Sequence, residues 1–495
     1  MDKMPQLKTS RSTVSGYPPA ANEQYVTWAR GVRDIGREHS FEPLEVEGQV
    51  PDDLNGVLYL NGPGLFSHFG SPYKYWPDGD GAITAIRLNA GKTWGACRVL
   101  ESQGLVEERK NQQPLYGSVG TAPASWLDRL RRKYKNPANI NVLHWAGRTF
   151  ALYESGLPTE FDPLTLETIG ETNFGGVVDS RFAAHPHHVP RRGTTYNFGI
   201  EYGRKTRLCV YEMRPNATIH RMVEIPLDWP PIMHDFIATD NHLIFFIPPL
   251  KVQTATLLMG VGSVMDNIKW KEQLGTEVIV VPIDDPKRVT RFRTDPFFQW
   301  HFANAYERQG EIVVDFVRYA RFNMVGRINV KKSKWKGDNG SRGYFHRSVI
   351  NLRNKTLTHE QRWDQKCELP VVFPHKEGQE NDTVFLGGFS GERARKEGAV
   401  DQLVRLNIDR GVQDIVSLGV NTTFTEPHFV SRKGARSADE GYLLSLTYDS
   451  DRDRSSLVIL DAEDLSAGPL ARCWFDHHIP PVFHGQWIES VRPIK

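Results

Sequence analysis

The segment His301-Phe-Ala-Asn-Ala-Tyr306, a polar turn at Gln309-Gly310, and the run Glu311-Ile-Val-Val-Asp-Phe-Val317 form the phrase that decides the fold. Two short apolar runs joined by a tight polar turn have the periodicity of a β-hairpin. The phrase recurs along the chain. Residues 141–145 and 149–153 repeat it, as do 234–237 and 243–247 around Asp240-Asn241. Residues 426–430, 442–448 and 456–460 repeat it again. The chain therefore reads as all-β. His185 and His234, each beside apolar residues, stand 49 positions apart, the length of a four-stranded propeller blade. Radial repetition of blades is one way for a long all-β chain to protect its sheet edges. A series of sandwiches is the other architecture the pattern allows.

Composition narrows the function classes. Lys+Arg 61 against Asp+Glu 59 gives a net charge of +2, which offers no electrostatic case for nucleic acid. The cysteines, Cys97, Cys209, Cys367 and Cys473, form no Cys-x-x-Cys pair, so a thiolate zinc site is not expected. Their sparseness fits a reducing compartment, and the N-terminus has no apolar signal-peptide core. A cytoplasmic location is expected. No Walker loop, dinucleotide fingerprint, His-Glu-x-x-His or Gly-x-Ser-x-Gly is present. Asn61-Gly-Pro-Gly64 and Asp78-Gly-Asp-Gly81 read as turns.

Residues 1–40 are polar and punctuated by Gly and Pro, and read as an extended arm preceding a single propeller over 41–495. One segment, 123–135, has helical periodicity, with Trp126, Leu127, Leu130 and Tyr134 on one face and basic residues around them. Such a helix either lies in a membrane interface or packs on the body with a solvated basic face. The apolar stretch 254–265 reads as a lid or tunnel entrance, or else as core. The basic run 331–336 reads as a solvated loop.

The chain has 17 His, and four stand out by setting: His185 in Ala-Ala-His-Pro, His234 in Ile-Met-His-Asp-Phe, His301 in Gln-Trp-His-Phe, and His484 in Val-Phe-His-Gly. A propeller aims the head of each inner strand at its axis, so four distant imidazoles can meet there. Neutral imidazoles suit borderline first-row ions, and an ion that prefers six ligands, such as Fe(II), keeps open positions for O2 or water. Ligating imidazoles pass their second N–H to oriented acceptors. Glu154, Glu368 and Glu426 lie in apolar strand contexts and are the candidates, with an exposed edge position as the alternative for each.

The chain resembles the carotenoid cleavage oxygenases from about residue 45 to 487. The resemblance rests on Leu54-Asn-Gly-Val-Leu-Tyr-Leu-Asn-Gly-Pro-Gly64, residues 78–85, Ala184-His-Pro186, His234-Asp-Phe236, residues 301–307, Ser456-Leu-Val-Ile-Leu-Asp-Ala462 and His484-Gly485. It implies a seven-bladed β-propeller with a helical and loop cap over the axis. It implies Fe(2+) held by His185, His234, His301 and His484, with Glu154, Glu368 and Glu426 hydrogen-bonded to three of them. It implies cleavage of a conjugated double bond of a carotenoid or apocarotenoid by O2, giving two carbonyl products. The partners are then a small apolar polyene and O2, with peripheral membrane contact through helix 123–135. Three positions depart from common family patterns and are expected near the substrate. Ile140 stands where bacterial apocarotenoid-cleaving relatives often carry Thr. Tyr153 stands where stilbene-cleaving relatives carry Lys. Phe302 stands where many relatives carry a second His. A stilbenoid-cleaving dioxygenase and a non-catalytic propeller scaffold are the alternatives.

Overall fold

A computed structural model describes residues 30–131, 133–322, 327–329, 334–336, 343–391, 394, 398–411 and 413–489. Seven antiparallel blades surround one axis. The first blade runs outward from His484–Ile488 through Gly56–Leu65, Asp80–Asn89 and Lys92–Val99 to His39–Pro43. The C-terminal strand thus supplies the inner edge of a blade begun at the N-terminus, and it closes the ring. The second blade holds Asn141–Trp145, Arg148–Leu152, Thr159–Phe161 and Thr168–Glu171; the third begins at His187–Val189 and the fourth at Ile237–Ala238.

The fifth and sixth blades share one strand, Thr356–Val371. Up to Lys366 it pairs with Tyr344–Asn351 as the outer strand of the fifth blade. From Cys367 it pairs with Thr383–Gly388 as the inner strand of the sixth. The seventh blade packs His428–Ser431 and Thr422–Phe424 on Gly441–Asp449 and ends at Glu45–Gly48.

The core lies between blades. Phe236 stacks on Phe245 with ring centres 5.1 Å apart, and Phe198 meets both edge-on between the third and fourth blades. Phe373, Phe385 and Phe429 do the same between the sixth and seventh.

Several sequence expectations change here. Asn61–Gly64 lies inside the strand Gly56–Leu65, and Asp80-Gly81 opens the strand Asp80–Asn89, so neither segment is a simple turn. Their glycines answer to crowding. A Cβ on Gly62 would come within 2.6 Å of Val482 Cα, and one on Gly81 within 2.4 Å of the Ala138 carbonyl. The helix expected over 123–135 is only Trp126–Arg131. Beyond it, Lys133 and Lys135 exchange backbone bonds with Gly117. Lys135 then turns into a fully buried cluster, its Nζ 2.7 Å from Asp80 and 2.8 Å from Glu108. That pull takes Tyr134 off the apolar face. Residues 1–29 of the expected arm lie outside the described residues. The remainder is bound to the body: Arg33 pairs with Asp453 at 2.8 Å, and the chain enters the first blade at His39. Of the basic run, Lys334–Lys336 forms a strand against Arg327–Asn329, because paired backbone overrides a charged sequence, and 331–333 lie outside the described residues.

Candidate metal centre

Each blade sends one residue to the axis at or beside its inner strand. His484 heads the inner strand of the first blade, and Ile140 directly precedes that of the second. His185 and His234 lie just before the inner strands of the third and fourth. His301 lies within that of the fifth, and Glu368 within that of the sixth. Glu426 precedes the inner strand of the seventh.

The ligating atoms of His185, His234, His301 and His484 all fall within 4.8 Å of one another. Nε2 of His234 is 3.0 Å from Nε2 of His185 and 3.1 Å from Nε2 of His301. For metal–nitrogen bonds of about 2.1 Å, right-angled ligands stand about 3.0 Å apart and tetrahedral ones about 3.4 Å. The observed spacing fits right angles. The contacts behind the rings fit as well. His301 Nδ1 lies 2.6 Å from Glu368 and His484 Nδ1 lies 2.9 Å from Glu426, while His234 Nδ1 rests against Glu154. A carboxylate that accepts Nδ1–H fixes the ring's orientation and leaves Nε2 as the nitrogen that faces a metal. These residues fit a divalent ion.

The electrostatics are those of a dry site. Burial, followed by the other three imidazoles, pushes His185 well below its ordinary range and keeps it neutral. Burial pushes Glu368 up, but His301, Tyr319 and the Leu369 N–H outweigh it and hold the carboxyl low. Tyr319 donates to the Glu368 oxygen that His301 leaves free. Burial likewise raises Glu426, and His484 more than offsets it. Trp300 stands edge-on to His234, ring centres 4.9 Å apart, and helps exclude water.

The histidines open onto an apolar cavity of about 260 Å³, lined among others by Trp76, Ile140, Tyr153, Trp300, Phe322 and Phe483. Ile140 and Tyr153 therefore lie where a substrate near the histidines would lie. Phe302 does not. It packs against Phe246 and Phe316 between the fourth and fifth blades, because alternation along the strand turns it away from the face that carries His301. A larger cleft of about 1380 Å³ shares Val119, Tyr153, Glu154 and Ile232 with the cavity and reaches Thr254, Leu257 and Leu258 at the surface. The stretch 254–265 is thus the rim of that cleft, with the short helix Thr254–Leu258 inside it.

Reading the sequence misses one polar cluster beside the histidines. Asp235 and His187 lie 3.0 Å apart, and the other nitrogen of His187 meets Glu377. Burial pulls His187 down, but the two carboxylates raise it to about 10. The signal available was adjacency: Asp235 follows one candidate ligand and His187 lies two positions past another.

A propeller with four axial imidazoles backed by carboxylates defines a class of metal-dependent enzymes, and the comparisons agree. The family model described as retinal pigment epithelial membrane protein matches residues 32–489. Apocarotenoid-15,15'-oxygenase of Synechocystis is 30% identical over 94% of this chain and 96% of its own length. Isoeugenol monooxygenase of Pseudomonas nitroreducens is 26% identical over 90% and 94%. The crystal structure of cobalt-substituted Synechocystis apocarotenoid oxygenase superimposes with a TM-score of 0.87 at 30% identity, covering 94% of this chain and 98% of that one. The chain belongs to the retinal pigment epithelial membrane protein family, that of the carotenoid cleavage oxygenases. Its fold is the seven-bladed propeller of that family.

Proposed function

We propose that the chain is a non-haem Fe(II) dioxygenase that splits a conjugated double bond of an apocarotenoid or carotenoid. His185, His234, His301 and His484 hold the ion, and Glu154, Glu368 and Glu426 orient three of them. The observation that carries this is four converging imidazoles, two of their contacts at right-angle spacing, at the wall of an apolar cavity. Bound Fe(II) would supply O2 activation beside the double bond, so that both oxygen atoms enter and two carbonyl products leave. With imidazoles as its ligands, a bound ion would keep its charge, and the three carboxylates against Nδ1 of His234, His301 and His484 would help offset it. Ile140 and Trp300 make the adjoining wall apolar, so a polyene binds there by displacing water rather than by forming hydrogen bonds.

Volume bears on the substrate. About 260 Å³ lies below the roughly 300–1000 Å³ of common small-molecule pockets. A long polyene therefore extends from the cavity past Tyr153 and Ile232 into the larger cleft. The cleft's rim is apolar on its outer side. Trp126 and Leu127 are exposed there on one short helix, and Leu258, Met259 and Val261 at and just past the end of another that touches it. This rim rests on a membrane surface and draws its substrate from it. No described helix is long and apolar enough to cross a membrane.

The test is incubation of the iron-loaded protein with apocarotenals and hydroxystilbenes under labelled O2. Two carbonyl products from an apocarotenal, each carrying label, are expected. Cleavage of the stilbenes alone would move the reading to a phenolic alkene, and iron binding without any cleavage would leave a scaffold.

A further inference from the structure

Glu154, Glu368 and Glu426 each meet one of three histidines, which leaves His185 as the fourth. The chain segments that carry His185, His234 and His301 meet at another carboxylate, that of Asp235, which is 2% exposed. Its Oδ2 accepts the backbone N–H of Phe302, the residue after His301, at 2.9 Å. Its Oδ1 accepts the N–H of Phe236 at 2.8 Å and lies 3.0 Å from Nε2 of His187. His187 lies two residues past His185, and its Nδ1 is 2.5 Å from Glu377. Phe236 closes edge-on against the His187 ring, with centres 5.0 Å apart.

We propose that Asp235 is a positioning residue of the metal centre, which ties the segments bearing His185, His234 and His301 into one unit, with Glu377 anchoring the far side of His187. This rests on the four-histidine metal reading above. The physical case is one of connection. The third, fourth and fifth blades each contribute one candidate ligand. The inner strand of the fifth, Phe298–Arg308, is long and offers a firm anchor, while those of the third and fourth are short: His187–Val189 has three residues and Ile237–Ala238 has two. Strands that short fix their leading residues poorly through ladder hydrogen bonds alone. Asp235 replaces the missing ladder with three bonds from one buried group. An acceptor with two oxygens is required, because every partner facing it is a donor. An amide at the same place would turn its NH2 toward a backbone N–H or toward His187.

The experiment measures Co(II) binding and the visible absorption of the Co(II) protein for the unaltered chain, Asp235→Asn and Glu377→Gln, together with metal-free melting temperatures. Changes to groups that orient metal ligands commonly weaken metal affinity by about 10–100-fold. A loss of that size with a shifted Co(II) spectrum is expected in Asp235→Asn, and a smaller loss in Glu377→Gln. If Asp235→Asn does not fold, Glu377→Gln decides the matter. Its carboxylate is partly exposed and touches no ligand, so weaker Co(II) binding at an unchanged melting temperature supports the proposal. Unaltered Co(II) affinity and spectrum in the folded variants, whatever their melting temperatures, would overturn it. No Co(II) binding by the unaltered chain would instead remove the metal reading itself.

Discussion

Nδ1 of His484 lies 2.9 Å from Oε1 of Glu426, although 58 residues separate them and they belong to the two blades between which the ring closes. The C-terminal strand of the propeller is thus tied to the seventh blade by a group placed to orient a candidate ligand. Glu426→Gln keeps the shape and removes the charge. The variant is expected to fold, and to hold iron about 10–100-fold more weakly. Metal content after dialysis against a chelator checks this. Unchanged retention would deny the glutamate its orienting role.

His234→Ala removes a ligand outright and leaves the blade contacts of Phe236 and Ile237 in place. The expected outcome is loss of iron and of alkene cleavage with the circular dichroism of the folded protein retained. Full activity in this variant would end the proposed function.

Lys135 tests the polar network beneath the cap. Its ammonium faces Asp80, Glu108 and the Tyr73 hydroxyl with no exposed surface. Lys135→Met removes the buried counter-ion of Asp80 and Glu108. Breaking a buried ion pair from one side costs about 3–5 kcal/mol. A large fall in the denaturation midpoint is expected, and one recovered in part by adding Asp80→Asn. A midpoint equal to that of the unaltered protein would show that water already reaches the cluster.

The fold was legible because its unit is local: a strand, a turn and a strand, with His301 at the head of one such phrase and His234 just before another. The convergence of His185, His234, His301 and His484 was legible because imidazoles in apolar strand contexts are costly to bury without a task. What escaped depends on tertiary pull. Periodicity extends the helix to Lys135, but two buried carboxylates take that lysine out of it. Phe302 was suggested for the substrate wall by its place where many relatives carry a second His, yet the alternation of a strand sends it to the opposite face. Asp235 carries no pattern of its own. Its partners are backbone N–H groups and a histidine on another blade, and neither is visible before the chain folds.

The membrane reading makes a separable prediction. Trp126 and Leu127 are 60% and 56% exposed, and Met259 60%. Side chains this open add little to folding stability, so their replacement leaves the melting temperature within about 1 °C while removing apolar area from the rim. The triple change Trp126→Ser, Leu127→Ser, Met259→Ser is expected to lower co-sedimentation with phospholipid vesicles several-fold. It should also slow turnover of vesicle-borne substrate more than turnover of substrate in detergent. Equal vesicle binding by both proteins would assign the rim to another use.

Acid should loosen the propeller at the fifth blade. His359 packs edge-on to Phe297, ring centres 5.0 Å apart, and its Nδ1 is 2.7 Å from the Ser348 hydroxyl. Burial, then the nearby Arg318 and His346, push its pKa from 6.5 to about 3. In the unfolded chain the same imidazole takes up a proton near 6.5, so between 6.5 and 3 the unfolded state binds a proton that the folded state refuses. Stability from this group is complete above 6.5 and is lost progressively as the pH falls toward 3. His359→Phe keeps a ring against Phe297 and removes the titration. The expected result is a shallower decline of melting temperature with acid over that window, and little difference at pH 8. Parallel curves for the two proteins would mean that His359 is protonated in the folded state and that its neighbours accommodate the charge.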